Sequence, residues 1–274
     1  MDISLVETGE EGSYEPVGSV VLGDPRFTYV PLWDTGEDEV YAYRCMPLWQ
    51  DESGQFEPIE AFGAAFADPL ERLSIDIAVF DKAIGHVNRI VAQYGIVKIL
   101  IPVHMSTLMD VQSRDTYLSI CSESVWSVFD NVCFEIVEPG AEVATDQLAA
   151  AVNVIQPYGS EIFVCLDSND IGLVPVSAEI RPVIVGLNVR RLEAMGCDVT
   201  SELAEFGERV AQSKFRSYVH GIDSVETTAS AIAAGFSLIG SEAISPALDE
   251  PAQPIATDDT ARMLRTLMAG KRRI

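Results

Sequence analysis

Val132-Cys-Phe-Glu135-Ile-Val-Glu138 and Glu161-Ile-Phe-Val-Cys-Leu-Asp167 decide the fold. Each is a short run of β-branched and aromatic residues that ends in a carboxylate. Such runs read as buried strands, and the C-terminal ends of parallel strands are where barrels and open α/β sheets keep their chemistry. Outward from these segments the chain alternates. Strands are predicted over 96–103, 132–137, 162–166, 180–187, 215–219 and 236–239. Helices are predicted near 108–127, 142–155, 188–213 and 224–234, with an irregular loop after 166. Repeated strand–helix units favour a parallel sheet closed as a barrel, with a doubly wound open sheet as the alternative.

Upstream the pattern differs. Residues 27–33 and 39–45 read as two strands joined by Asp34-Thr-Gly36-Glu-Asp38, a plausible hairpin turn. A long helix follows. Leu73, Ile77, Phe80, Ile84, Val87 and Val91 make one apolar stripe. Asp68-Pro69 supplies its cap and first-turn proline, and Tyr94-Gly95 ends it. Residues 1–25 read as a flexible acidic arm, 26–250 as the barrel, and 251–274 as a linker with a short basic helix. That helix would carry Met263, Leu264, Leu267 and Met268 on one side, and residues 262–274 hold five positive charges and no acid.

Composition narrows the function. A chain of 274 residues, 48% hydrophobic, can bury one large core. The net charge of −24 repels phosphate backbones and anionic membranes, so neither nucleic acid nor membrane is an expected partner. An anionic nucleotide would need a local positive site or a metal ion. No leader-like basic segment precedes Arg26 and no apolar run has membrane-spanning length, so a cytoplasmic location is expected. The cysteines Cys45, Cys121, Cys133, Cys165 and Cys197 form no C-x-x-C pair and read as buried thiols. Trp33 and Trp49 read as core.

Taken in order, these segments resemble the EAL domain, the family of cyclic di-GMP phosphodiesterases, from about Phe27 to Pro246. Tyr29-Val-Pro-Leu-Trp33 resembles the family's opening Y-x-P-I, and the stretch from Ala42 to Trp49 stands where the family has G-[FY]-E-A-L-x-R-W. Ile75-Asp76 resembles the L-D of its first long helix. Val103-His104-Met105-Ser106 stands for V-N-[LV]-S, and the stretch from Phe134 to Glu138 for L-E-[IL]-T-E. The stretch from Leu166 to Gly172 stands for L-D-D-F-G-x-G, Gly221-Ile222-Asp223 for G-V-E, and 235–246 for the closing motif. The resemblance implies a (β/α)8-type, TIM-like barrel with an antiparallel first strand. It also implies a mouth where carboxylates hold divalent metals that activate water.

Several mouth positions depart from the family pattern. The motif Glu is Arg44, the Asn is His104, the second Asp is Ser168, the Gln is Ile239, and the Arg that contacts phosphate is Leu48. Glu135 and Asp167 match, Asp223 is a shortened acid, and 180–188 holds no Lys. A guanidinium beside Glu135 and Asp167 would supply the charge of a metal and repel a divalent ion. No catalytic residue and no cofactor is therefore expected, and Glu135, Asp167 and Asp223 are the weak metal candidates. A different site built from His104, Glu135, Asp167, His220 and Asp223, with zinc- or iron-type ligands, is a minor alternative. A Ser106 or Ser168 triad has no G-x-S-x-G elbow to support it.

The resulting expectation is an inactive EAL-like regulatory module that works through an unidentified protein partner in bacterial signalling or motility. The resemblance also implies a homodimer. Cyclic di-GMP is not an expected ligand on this reading. The alternatives are a non-hydrolysing cyclic di-GMP receptor and a divergent metal-dependent hydrolase.

Overall fold

The computed structural model describes residues 25–251 except 38, 52, 59–67, 95–96, 141–142, 167–182 and 214, together with Thr266. The acidic arm, the helix expected near the C-terminus, and both Asp167 and Ser168 fall outside the described residues.

A hairpin starts the chain. β1 (Arg26–Asp34) and β2 (Glu39–Gln50) are antiparallel, and Asp34 accepts from the backbone N–H groups of Gly36 and Glu37 to tighten the turn. β3 (Phe56–Pro58) extends β2 outside the ring. α1 (Pro69–Tyr94) follows, capped by Asp68, whose carboxylate accepts from Leu70 and Glu71 N–H. The expected stripe packs inward: Phe80, Ile84 and Val87 are buried, with Leu73, Ile77 and Val91 against the same core.

Strand–helix units then repeat: β4 (Ile99–His104), α2 (Met105–Met109) and α3 (Val111–Ser124); β5 (Val132–Val137) and α4 (Thr145–Ile155); β6 (Glu161–Leu166); β7 (Val183–Asn188), α5 (Val189–Ala194) and α6 (Val199–Ala211); β8 (Arg216–Ile222), α7 (Val225–Ala234) and β9 (Leu238–Ser241). Neighbours from β4 to β9 pair in parallel, as do β2 and β4. β1 runs antiparallel to both β2 and β9 and closes the ring. The closure rules out the open-sheet alternative and gives the expected eight-stranded barrel with an antiparallel first strand.

Two predicted helices are each two helices. The segment 108–127 breaks at Asp110, whose side chain caps α3 by accepting from Ser113 N–H. The segment 188–213 breaks at Gly196, which has φ +73°, before Asp198 caps α6. In both cases the local cap divides a segment that strand–helix alternation alone reads as one helix.

Strand alternation sorts the core into two layers. Outward residues such as Phe134, Ile136, Val164, Val185 and Val219 meet the helices, together with Phe80 and Phe206. Inward residues fill the lumen: Leu32, Leu100, Cys133, Phe163, Cys165, Ile184, Tyr218 and Leu238. Each large side chain removed from water contributes about 1.5–3 kcal/mol. Trp33 and Trp49 are core, as expected, and four of the five thiols are buried, with Cys197 partly exposed.

Candidate functional site

The same alternation carries polar side chains into the C-terminal end of the lumen. On β5, Cys133 is followed two residues on by Glu135. On β8, Tyr218 is followed by His220, and on β6 Phe163 by Cys165. The Tyr218 ring fits because its neighbour on β7 is Gly186: a Cβ there would lie 2.3 Å from Tyr218 Cδ1. That close approach sends the tyrosine hydroxyl to Glu135.

Glu135 is the hub, fully buried with both oxygens engaged. Arg44 Nε donates to Oε2 at 2.6 Å, and the Tyr218 hydroxyl donates to Oε1 at 2.7 Å. His220 Nε2 lies 3.2 Å from Oε1 and 3.7 Å from Cys165 Sγ. Burial alone would raise the Glu135 carboxyl, but Arg44, His220 and Tyr218 together hold it at about 2. Arg44 is itself only 5% exposed, so the pair is desolvated on both sides.

A second network lies at the end of β4. His104 Nδ1 is 2.8 Å from Asp76 Oδ1, and its backbone N–H donates to Asp76 Oδ2. The Thr107 hydroxyl also donates to Oδ2. Burial pushes the His104 imidazole down, but the Asp76 carboxylate outweighs it and raises it. Just beyond β5, Glu138 takes a left-handed φ of +52°, uncommon for a residue with a Cβ. Its carboxylate holds Arg72 at 2.9 Å and Arg191 at 2.8 Å.

Two clefts open over these groups. One is lined by Arg44, Asp76, His104, Glu138, Asn188 and Arg191 with apolar walls from Ile75, Val79 and Pro102. The other includes Arg190, His220 and Glu242. They share Arg44, Met46 and Asn188.

The positions singled out from sequence therefore separate. Arg44 and Glu135 come together, with His220 beside them. His104 belongs to the Asp76 network at the same mouth. Asp223 is exposed beyond β8 and lines neither cleft. Ile239 faces the outer helical layer, because β9 turns Leu238 and not Ile239 inward. Leu48 lies near the far end of β2, paired with Arg26 and Pro58, and lines neither cleft. Reading motifs column by column missed Tyr218, Cys165, Asn188 and Arg191. Period-two spacing could have found the first two. The Arg190-Arg191 pair directly after β7 was the signal for the last.

The divalent pair implied by the family resemblance does not fit the described residues. Where a carboxylate should stand, a guanidinium sits 2.6 Å from Glu135, and the two Glu135 oxygens are already occupied. A hard cation there would face a fixed positive charge, and the described carboxylates nearby, Glu135, Asp76 and Glu138, are already paired with Arg44, His104, Arg72 and Arg191.

No family model matches the sequence, and no curated protein is similar enough to it to match. Solved structures do match. The YkuI protein of Bacillus subtilis, which has an EAL domain and was crystallised with its substrate cyclic di-GMP and calcium, superposes at TM-score 0.64 and 15% identity over 91% of this chain and 61% of that one. The fold is that of EAL domains. Vibrio cholerae LapD bound to cyclic di-GMP gives TM-score 0.60 at 12% identity, covering 78% of this chain and 51% of that one. The Xanthomonas citri FimX EAL domain in complex with cyclic di-GMP gives 0.56 at 15%, covering 81% and 87%. This chain thus spans about three fifths of the YkuI protein and half of that LapD chain.

These structures correct one expectation. Cyclic di-GMP was not an expected ligand, largely because Leu48 replaces an arginine and no Lys lies in 180–188. Yet proteins with this EAL fold were crystallised holding that nucleotide. The physical reason for the error is positional: Leu48 lies away from both clefts, whereas Arg191 and Arg190, outside the quoted motifs, line them. As for membranes, no helix among the described residues is long and apolar enough to cross one.

Proposed function

We propose that this chain is a non-hydrolysing receptor for cyclic di-GMP, a regulatory protein that reports the nucleotide to a protein partner. The observation that carries the reading is the Arg44–Glu135 pair at the place where the family resemblance implies a metal-binding carboxylate. A fixed guanidinium gives permanent positive charge without a coordination sphere for activating water. The acidic chain as a whole repels a dianion, so binding needs local cations; Arg44, Arg72, Arg190 and Arg191 gather at this mouth, each paired with Glu135, Glu138 or Glu242, so a phosphate must compete with those carboxylates. Two clefts meet at Arg44, so a ligand that reaches both would pass over it. Arg72 and Arg191 share Glu138, so a phosphate can take Arg191 while Arg72 keeps the carboxylate.

Calorimetry with cyclic di-GMP, in chelator and then in magnesium or calcium, tests the binding. The expected result is a saturable heat in chelator, weakened at least about tenfold by Arg191→Ala, the loss of one charge-assisted contact. No binding under any condition would refute the receptor. Chromatography of the same mixtures tests the chemistry: linear dinucleotide that scales with protein concentration would refute the loss of hydrolysis.

A further inference from the structure

We propose that Glu135, Cys165 and His220 form a binding site for one thiophilic divalent cation of the zinc type, deep in the barrel and below the nucleotide clefts. The three side chains rise from β5, β6 and β8, and their ligand atoms all lie within 4.8 Å of one another. His220 Nε2 is 3.7 Å from Cys165 Sγ and 3.2 Å from Glu135 Oε1. Zinc bonds of about 2.3 Å to sulfur and about 2.0–2.2 Å to nitrogen and oxygen give tetrahedral edges of roughly 3.3–3.6 Å. The two edges at His220 match that spacing, and the third, between Glu135 and Cys165, is no longer than 4.8 Å.

The donor set also selects the metal. One thiolate, one imidazole and one carboxylate suit zinc or cobalt, whereas magnesium and calcium take all-oxygen sites. The site therefore differs in kind from the carboxylate cluster that the family resemblance implies. Coordination uses the Cys165 thiolate, so the thiol proton passes to solvent as the metal enters. Arg44 holds Oε2 and orients the carboxylate as an outer-shell partner does, while Oε1 faces His220 and accepts from the Tyr218 hydroxyl, a bond the entering metal must share or displace. Arg44 also adds a positive charge near the ion, which weakens the site without blocking the tripod. Cys165 borders one cleft and His220 the other, so the fourth position is reachable by water from the mouth.

The site stands independently of the nucleotide reading, and its test contains no nucleotide. The full chain, stripped by chelator, is titrated with cobalt(II) and followed by absorption. The expected result is one equivalent of cobalt giving a near-ultraviolet thiolate-to-cobalt band with tetrahedral visible bands, both displaced by zinc. Cys165→Ser should lose the thiolate band, and Arg44→Gln should strengthen binding. Cys197→Ser, at the partly exposed cysteine, should keep the band. Absence of the band in the unsubstituted protein refutes the site, and that measurement does not depend on any variant folding. A band that survives Cys165→Ser, or vanishes in Cys197→Ser, refutes it equally.

Discussion

Replacing Arg44 by Ala leaves Glu135 as a buried carboxylate with only Tyr218 and His220 for company. Breaking a buried pair from one side costs on the order of 3–5 kcal/mol. For a domain of this size each kcal/mol moves the melting temperature by about 2–4 °C, so the variant should melt roughly 6–20 °C lower at neutral pH. The pH dependence is a sharper test. In the unsubstituted protein Glu135 titrates at about 2 against an ordinary 4.5, so its folded value is depressed. That depression stabilises the fold above 4.5 and is lost as the pH falls through 2, a contribution on the order of 3 kcal/mol. In Arg44→Ala burial remains and the main opposing charge is gone, so the carboxyl rises and takes up its proton earlier. The deficit of the variant should therefore be largest at neutral pH and shrink as the solution is acidified below 4.5. Thermal unfolding followed by circular dichroism, in chelator and across that range, reads both effects. An unchanged melting temperature, or a deficit constant with pH, refutes the account of Arg44 as the counter-charge. The apolar double replacement Arg44→Met with Glu135→Leu should recover most of the lost stability.

Three further outcomes are expected. Gly186→Ala drives a methyl into the Tyr218 ring and should destabilise by at least about 1–3 kcal/mol in denaturant melts; a neutral result would mean the ring does not lie over β7. His104 titrates above its ordinary 6.5, so the stability it lends is complete below 6.5 and is lost as pH rises through the folded value. Asp76→Asn should lower the His104 titration midpoint seen by NMR, and an unmoved midpoint would remove Asp76 as its cause. Asp198→Ala removes the cap of α6, whose side chain accepts from Thr200 and Ser201 N–H, and should cost about 1 kcal/mol in the same melts.

The barrel was legible because its signals are local and repeated. The apolar runs at 132–137 and 162–166, each leading to a carboxylate in the sequence, state the parallel strands directly. Asp68-Pro69 states where the long helix begins. Asp110 and Gly196 were harder, because a cap and a left-handed glycine inside an apolar pattern look like tolerated exceptions until the geometry shows them ending a helix. At the site, Arg44 and Glu135 could be paired because both fall in aligned motifs. Tyr218 could not: its role depends on the missing side chain of Gly186, a neighbour 32 positions away that only the β7–β8 register reveals. Ile239 misled for the opposite reason. Its motif column suggests the mouth, whereas strand parity sends it outward.

The seam of the barrel carries a consequence for how the molecule is made. β1 meets β9 through Trp33 with Ile239 and Asp34 with Leu238, extended by the hydrogen bonds of Thr35 to the Ser237 and Phe236 carbonyls, by the ion pair of Asp34 with Arg216 and by the bridge of Tyr29 to Leu248. These contacts span nearly the whole described chain. On a ribosome the hairpin of β1 and β2 emerges before β9 and waits, with one edge unpaired, until β9 is synthesised. Exposed strand edges of that kind recruit other chains, and long-range pairing is the slow step of such folds. Crowding that unpaired edge with a second nascent chain should therefore produce swapped or aggregated species.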